Sequence, residues 1–216
     1  MQSQLLDLFS YPQTFETFIP LGNEMLCECL TSNDNQFIHI IGTDSSGKTH
    51  LLKAWVDLHQ DSIYLDTFSQ DQIPGLIRKY KHIAIDDVDK LDLDSQIAVF
   101  NLFNQIKLAN LNIRLLTSSH NNLDVIKTFR EDLRTRLLSG IKLHLKALDD
   151  EHLLQAIETY CKTHGIKLPQ SEAKFILSRY PRNLGVLIQA IDKVSNYALL
   201  HHKNITIPLI KQALEV

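Results

Sequence analysis

Hydrophobic and polar positions along the chain follow two rhythms. In the first part, short apolar runs rich in β-branched residues alternate with stretches of helical period. Residues 37–41, 62–66, 82–86, 112–117 and 141–145 read as five buried strands. A helix-like run at 50–58 follows the first strand. Another at 95–110 follows the third, with Ile97, Phe100 and Phe103 on one stripe. Between the second and third strands, 70–79 is interrupted by Pro74-Gly75, which predicts only a short helix. The MLCECL run at 25–30 reads as a helix in which Cys27 and Cys29 serve as small packing residues. Strands alternating with helices predict a parallel sheet with helices on both faces.

Past Leu148 only the helical period remains. Residues 149–162, 171–179, 183–200 and 208–214 read as helices. Pro169-Gln170-Ser171 and Pro181-Arg182-Asn183 supply breaks and helix starts. Asp149-Asp150-Glu151 places negative charge where a helix dipole favours it. The predicted fold class is α/β: a parallel-sheet domain, 13–148, followed by a small all-helical domain, 149–216. A terminal peptide, 1–12, precedes both.

Composition refines this picture mainly by exclusion. The chain has 216 residues, 44% hydrophobic and 22% charged, as ordinary globular proteins do. No apolar run approaches the roughly 18 residues that a membrane span needs. The first residues lack the basic n-region and small-residue cleavage site of a secretory signal. Three scattered cysteines provide no disulfide framework and fit a reducing cytoplasm. A net charge of -3 argues against a protein built mainly to hold nucleic acid.

Two motifs carry chemistry. The first strand runs into Gly42-Thr-Asp-Ser-Ser-Gly47-Lys48-Thr49, a complete GxxxxGK[ST] pattern with a helix after it. Glycines let successive N–H groups turn inward toward phosphate oxygens, and the helix N-terminus adds positive potential. Lys48 is placed to neutralise the β-phosphate of ADP or the β- and γ-phosphates of ATP, and Thr49 to offer a hydroxyl to Mg²⁺. The third strand delivers Asp86 and Asp87 to the carboxyl edge of the sheet, where open α/β folds gather ligands. Asp86 would hold Mg²⁺, and Asp87 would polarise the attacking water. Asp is one methylene shorter than the Glu that most such ATPases use, which predicts slow turnover.

With these motifs in order, the sequence resembles the AAA+ ATPases, and among them the bacterial replication-initiator branch, the DnaA family. Thr14 to Asn23 is similar to that family's N-terminal box near the adenine. Leu115-Leu116-Thr117-Ser118-Ser119 resembles its fourth-strand sensor, with Ser119 in place of an Asp. Asp132-Leu133-Arg134-Thr135-Arg136-Leu137 resembles its DRLxSRF segment. That match makes Arg136 an arginine finger acting in trans on a neighbour's γ-phosphate. Arg130 and Arg134 read better as surface charges. Pro181-Arg182-Asn183-Leu184 resembles the second sensor of the lid, with Arg182 over the nucleotide.

DnaA continues beyond its lid into a DNA-reading domain, whereas this sequence stops at Val216. Residues 147–216 carry eight Lys/Arg against seven Asp/Glu, so no basic patch substitutes for that domain. The sequence thus resembles the shortened Hda family of regulatory DnaA relatives. Gln4-Leu5-Leu6-Asp7-Leu8-Phe9 is similar to their sliding-clamp-binding peptide. There Gln4 and Leu5 would engage one end of a groove, and Leu8 and Phe9 would fill an apolar pocket. The phosphate loop departs from many of these relatives, whose loops are degenerate.

The resemblance implies a cytoplasmic negative regulator of replication initiation. It would be tethered to the clamp (the polymerase β subunit) and stimulate hydrolysis of DnaA-bound ATP. It would need no sequence-specific DNA contact and no membrane. An autonomous AAA+ ATPase or helicase-loader-type factor is the alternative, and a nucleotide-dependent scaffold a third. Homo-oligomers are open to any of these.

Overall fold

The computed structural model describes residues 12–32, 34–67, 69–120, 122–126 and 128–215. The peptide containing Gln4, Leu5, Leu8 and Phe9 therefore lies outside the described residues. Two compact units divide the chain, Gln13–Ala147 and Leu148–Val216.

The first unit carries a five-stranded parallel sheet. Its strands are β1 (Phe37–Gly42), β2 (Ser62–Leu65), β3 (His82–Ile85), β4 (Arg114–Ser119) and β5 (Ile141–Leu145), in spatial order β2-β3-β4-β1-β5. All five expected strands form, with shifted ends. β4 begins at Arg114 rather than Asn112. Register pairs Ile41 with Ser119 and Ile85 with Thr117, so the loops after β1, β3 and β4 emerge together at one edge.

Helices α1 (Glu24–Thr31), α2 (Lys48–Asp57), α3 (Ile73–Lys79), α4 (Leu93–Leu108) and α5 (Glu131–Leu137) accompany the strands. Pro74 does not interrupt a helix. It sits in the first turn of α3, where a missing N–H leaves no intrahelical bond unmade. The 3₁₀ turn Gln70–Gln72 precedes it.

Period-two alternation sorts the strand residues between two cores. Ile38, Ile40, Ala84 and Leu116 pack with Leu51, Leu52 and Trp55 of α2. Ile83, Ile85 and Leu115 pack with Leu102 and Phe103 of α4 and Leu133 of α5. Trp55 and Phe103 are fully buried, so each anchors its layer. Truncating such a side chain typically costs about 3–5 kcal/mol.

His39 is an exception within β1. It is fully buried, yet its ring meets Thr117 Oγ1 at 2.8 Å through Nδ1 and Ser119 Oγ at 3.1 Å through Nε2. Both ring nitrogens are thereby satisfied.

The second unit is helical: α6 (Asp150–Thr163), α7 (Gln170–Arg179), α8 (Leu184–Leu200) and α9 (Ile207–Leu214). Asp149, Asn183 and Thr206 cap α6, α8 and α9 by accepting from His152, Val186 and Leu209 N–H groups. Leu153, Ile157, Ile176, Leu187, Ile191 and Leu209 form its core. No helix among the described residues is long and apolar enough to cross a membrane.

Burial first, and then the neighbouring His144, pushes His39 down from an ordinary 6.5 to about 4. Burial, His59 and Arg114 do the same to His82. Depressed histidines bind fewer protons in the folded state than in the unfolded one. Stability is therefore full above pH 6.5 and falls as pH drops toward 4. Urea unfolding at pH 7.5, 5.5 and 4.5 is expected to show declining midpoints, and His39→Asn to remove part of that pH dependence.

Candidate functional site

The site is built at the carboxyl edge where β1, β3 and β4 end. After β1 the chain turns through the phosphate loop into α2. Gly47 caps α2 with φ 101°, a conformation that side chains resist. A Cβ there would also lie 3.1 Å from the Phe18 ring. At Gly42 a Cβ would come 2.6 Å from Ser46 Oγ and press on Leu145. Gly42 is thus required by space, and Gly47 chiefly by its conformation.

Lys48 is buried at 6% exposure. Its ammonium donates to the carbonyls of Gly42 at 2.8 Å and Thr43 at 3.2 Å. Asp87 Oδ1 lies 3.9 Å from the same nitrogen. The loop therefore holds its cation in place through its own backbone oxygens.

Asp86, at 4% exposure, is the most heavily bonded group of the site. Its Oδ2 accepts from Thr49 Oγ1 at 2.6 Å and from Tyr64 Oη at 2.9 Å. Its Oδ1 accepts from Asp87 N–H at 3.1 Å and from the Ser118 hydroxyl. Burial, followed by the Asp86 charge and hydrogen bond, pushes the Tyr64 phenol well above its ordinary range, so it stays a donor. Hard oxygen donors such as the Thr49 hydroxyl and the Asp86 carboxylate are the kind Mg²⁺ takes, so these residues fit that ion.

Asp87 adopts the left-handed conformation, φ 44° and ψ 50°. That departure from strand geometry turns its carboxylate away from that of Asp86. Its N–H donates to Ser118 Oγ at 2.9 Å, and its Oδ2 accepts from Lys90 Nζ at 2.6 Å. That bond is the main reason the Lys90 ammonium is held above its usual range. Asp87 Oδ1 is buried and accepts no hydrogen bond among the described residues. A buried oxygen lacking a partner is costly, and such groups mark sites that expect one. Thr49, Tyr64, Asp86, Asp87 and Lys90 line a cleft of about 510 Å³.

The expected sensor behaves differently. Ser119 is fully buried and bonds His39, on the α4 face of the sheet. Ser118 is the β4 hydroxyl that reaches the acidic pair. Alternation explains this, because Ser118 shares a face with Leu116, beside Ala84 and Asp86. Sequence inspection missed Ser118 and Tyr64, because their approach to Asp86 depends on the register of β2 and β4 against β3. The N-terminal box also meets the loop's helix. Thr14 O is 2.9 Å from His50 Nε2, and the Phe18 ring contacts the His50 ring edge-on at 5.4 Å.

The arginines separate clearly. Arg130 pairs with Asp132, and Arg134 with Glu131 and the Ile126 carbonyl. Arg136, half-buried in the last turn of α5, shows no side-chain hydrogen bond or ion pair among the described residues. Arg182 is exposed in the helical unit and forks onto Asp150, at 2.5 Å from Nε and 3.0 Å from Nη2.

The glycine loop, buried lysine, hydroxyl–aspartate pair and five-stranded order, followed by a helical lid, define a AAA+ P-loop protein. Residues 149–214 match the family model for the Hda lid domain. A relative in Haemophilus influenzae, described only as an uncharacterized protein, is 28% identical over 94% of both chains. Domain III of the Thermotoga maritima replication initiation protein DnaA superposes with TM-score 0.73 at 20% identity, covering 94% of this chain and 95% of its own. AMPPCP-bound DnaA from Aquifex aeolicus gives TM-score 0.64 at 23% identity, covering 85% of this chain and 65% of its own. Over its helical unit the chain is thus similar to the Hda lid, and in its fold to DnaA domain III.

Replacing Asp86 by Asn would set an amide N–H₂ against hydroxyl and N–H donors. Asp86→Asn is expected to lower unfolding stability by about 1–3 kcal/mol, measured by urea titration, because charged-acceptor bonds are lost.

Proposed function

We propose that the protein binds ADP or ATP with Mg²⁺ at the phosphate loop and regulates replication initiation by acting on DnaA. Arg136 carries this reading. It is the arginine of α5 whose side chain is left unpaired, while Arg130 and Arg134 are consumed by neighbouring carboxylates. A guanidinium on a helix end with no partner among the described residues is available to a second molecule. A γ-phosphate held by a DnaA subunit is the anion that the family likeness suggests. The Hda lid match and the DnaA-like fold support that choice of partner.

In this reading Lys48 binds the β- and γ-phosphates, and Thr49 and Asp86 hold Mg²⁺, which would neutralise developing phosphate charge. Asp87 orients water, but Lys90 holds one of its oxygens and the side chain is short, so intrinsic turnover is slow. Arg182 reaches a nucleotide only after leaving Asp150. Gln4, Leu5, Leu8 and Phe9 tether the protein to the sliding clamp, and the work is done in the cytoplasm. Ser119 acts through the strand end it anchors rather than by touching the acids.

Two measurements test this. Purified DnaA should hydrolyse ATP faster when this protein and clamp-loaded DNA are added. Arg136→Ala should remove most of any such stimulation, since arginine fingers supply about 10³-fold or more. Absence of stimulation by the wild-type protein would overturn the regulatory reading, and full stimulation by the variant would overturn the finger. Lys48→Ala should weaken calorimetric ADP binding by about 100-fold or more, since charge-assisted phosphate bonds are lost.

A further inference from the structure

Tyr64 belongs to neither motif by which the site is recognised. It stands on β2, paired in register with Ala84, and therefore shares a face with Asp86 two residues on. Its hydroxyl donates to Asp86 Oδ2 at 2.9 Å, the oxygen that also receives Thr49 at 2.6 Å. The other oxygen is taken by Asp87 N–H and Ser118. An ionised carboxylate has about four lone-pair positions, so Asp86 is saturated.

Three of these donors come with the site's own framework. Thr49 is part of the phosphate loop, Asp87 N–H is the next backbone group, and Ser118 is the adjacent strand. The phenol is the additional one. It is held firmly, with its ring packed against the α2-face core and Lys53 Nζ 5.1 Å from the ring centre. It also lines the same cleft as Thr49 and Asp86.

A carboxylate oxygen committed to a phenol is a weaker acceptor for a cation or for the cation's water. We propose that Tyr64 is a positioning residue that competes for Asp86 Oδ2 and thereby raises the Mg²⁺ concentration at which the site takes Mg²⁺–nucleotide. The inference rests on the nucleotide reading above. It makes Tyr64 a tuner of metal demand rather than a nucleotide contact.

Tyr64→Phe removes the hydroxyl and retains the ring. A fluorescent ADP analogue would be titrated onto wild-type and variant protein across Mg²⁺ concentrations and in EDTA. The Mg²⁺ midpoint of the variant is expected to fall about threefold to tenfold, the share of a charged hydrogen bond that competition would release. Affinity in EDTA is expected to stay within about twofold, because the phenol does not touch nucleotide. An unchanged or raised midpoint would overturn the proposal. So would an equal change with and without Mg²⁺, which a merely structural role would produce. Wild-type protein that binds no nucleotide in either condition would instead sink the nucleotide reading, and this inference with it.

Discussion

A carboxylate buried at the end of a strand must be surrounded by donors, and the architecture of the first unit follows from how Asp86 meets that demand. Four groups from four segments converge on it: Thr49 from α2, Tyr64 from β2, Ser118 from β4 and the backbone of Asp87. Tyr64 and Ser118 can be supplied only if β3 lies between β2 and β4 with their carboxyl ends in step. The observed order and register provide that. An uncompensated charge there would cost several kcal/mol, comparable to much of a domain's net stability. The acid therefore ties the phosphate loop to the sheet as well as serving the site.

Lys48 and Asp87 show the complementary side of the same design. The buried ammonium leans on loop carbonyls, and one Asp87 oxygen faces it across 3.9 Å without a hydrogen bond. The left-handed turn at Asp87 is local strain of order 1 kcal/mol for a non-glycine residue.

The helical unit makes its own use of charge. Asp149 caps α6, and Asp150, one residue further, holds the Arg182 guanidinium. The pair keeps Asp150 below and Arg182 above their ordinary ranges. Such exposed pairs contribute little to stability. A competing phosphate is a stronger partner for a planar guanidinium than a solvated carboxylate. Arg182 can therefore be secured within its unit and still be exchangeable.

Periodicity and local motif chemistry determined much by themselves. Five short apolar runs mark five strands, although only the central β1, β3 and β4 are buried on both faces while the edge strands β2 and β5 stay partly exposed. The glycines, Lys48 and Thr49 announce a phosphate loop because few other arrangements turn so many N–H groups inward. The shift to purely helical period after Leu148 marks the second unit. Local pattern cannot fix which hydroxyl meets which acid, since that depends on the register between strands distant in the chain. Tertiary structure turned Ser119 toward His39, brought Ser118 and Tyr64 to Asp86, and left Arg136 unpaired while its neighbours found carboxylates. Each outcome depends on through-space distances of a few ångströms between residues that sequence separation does not encode.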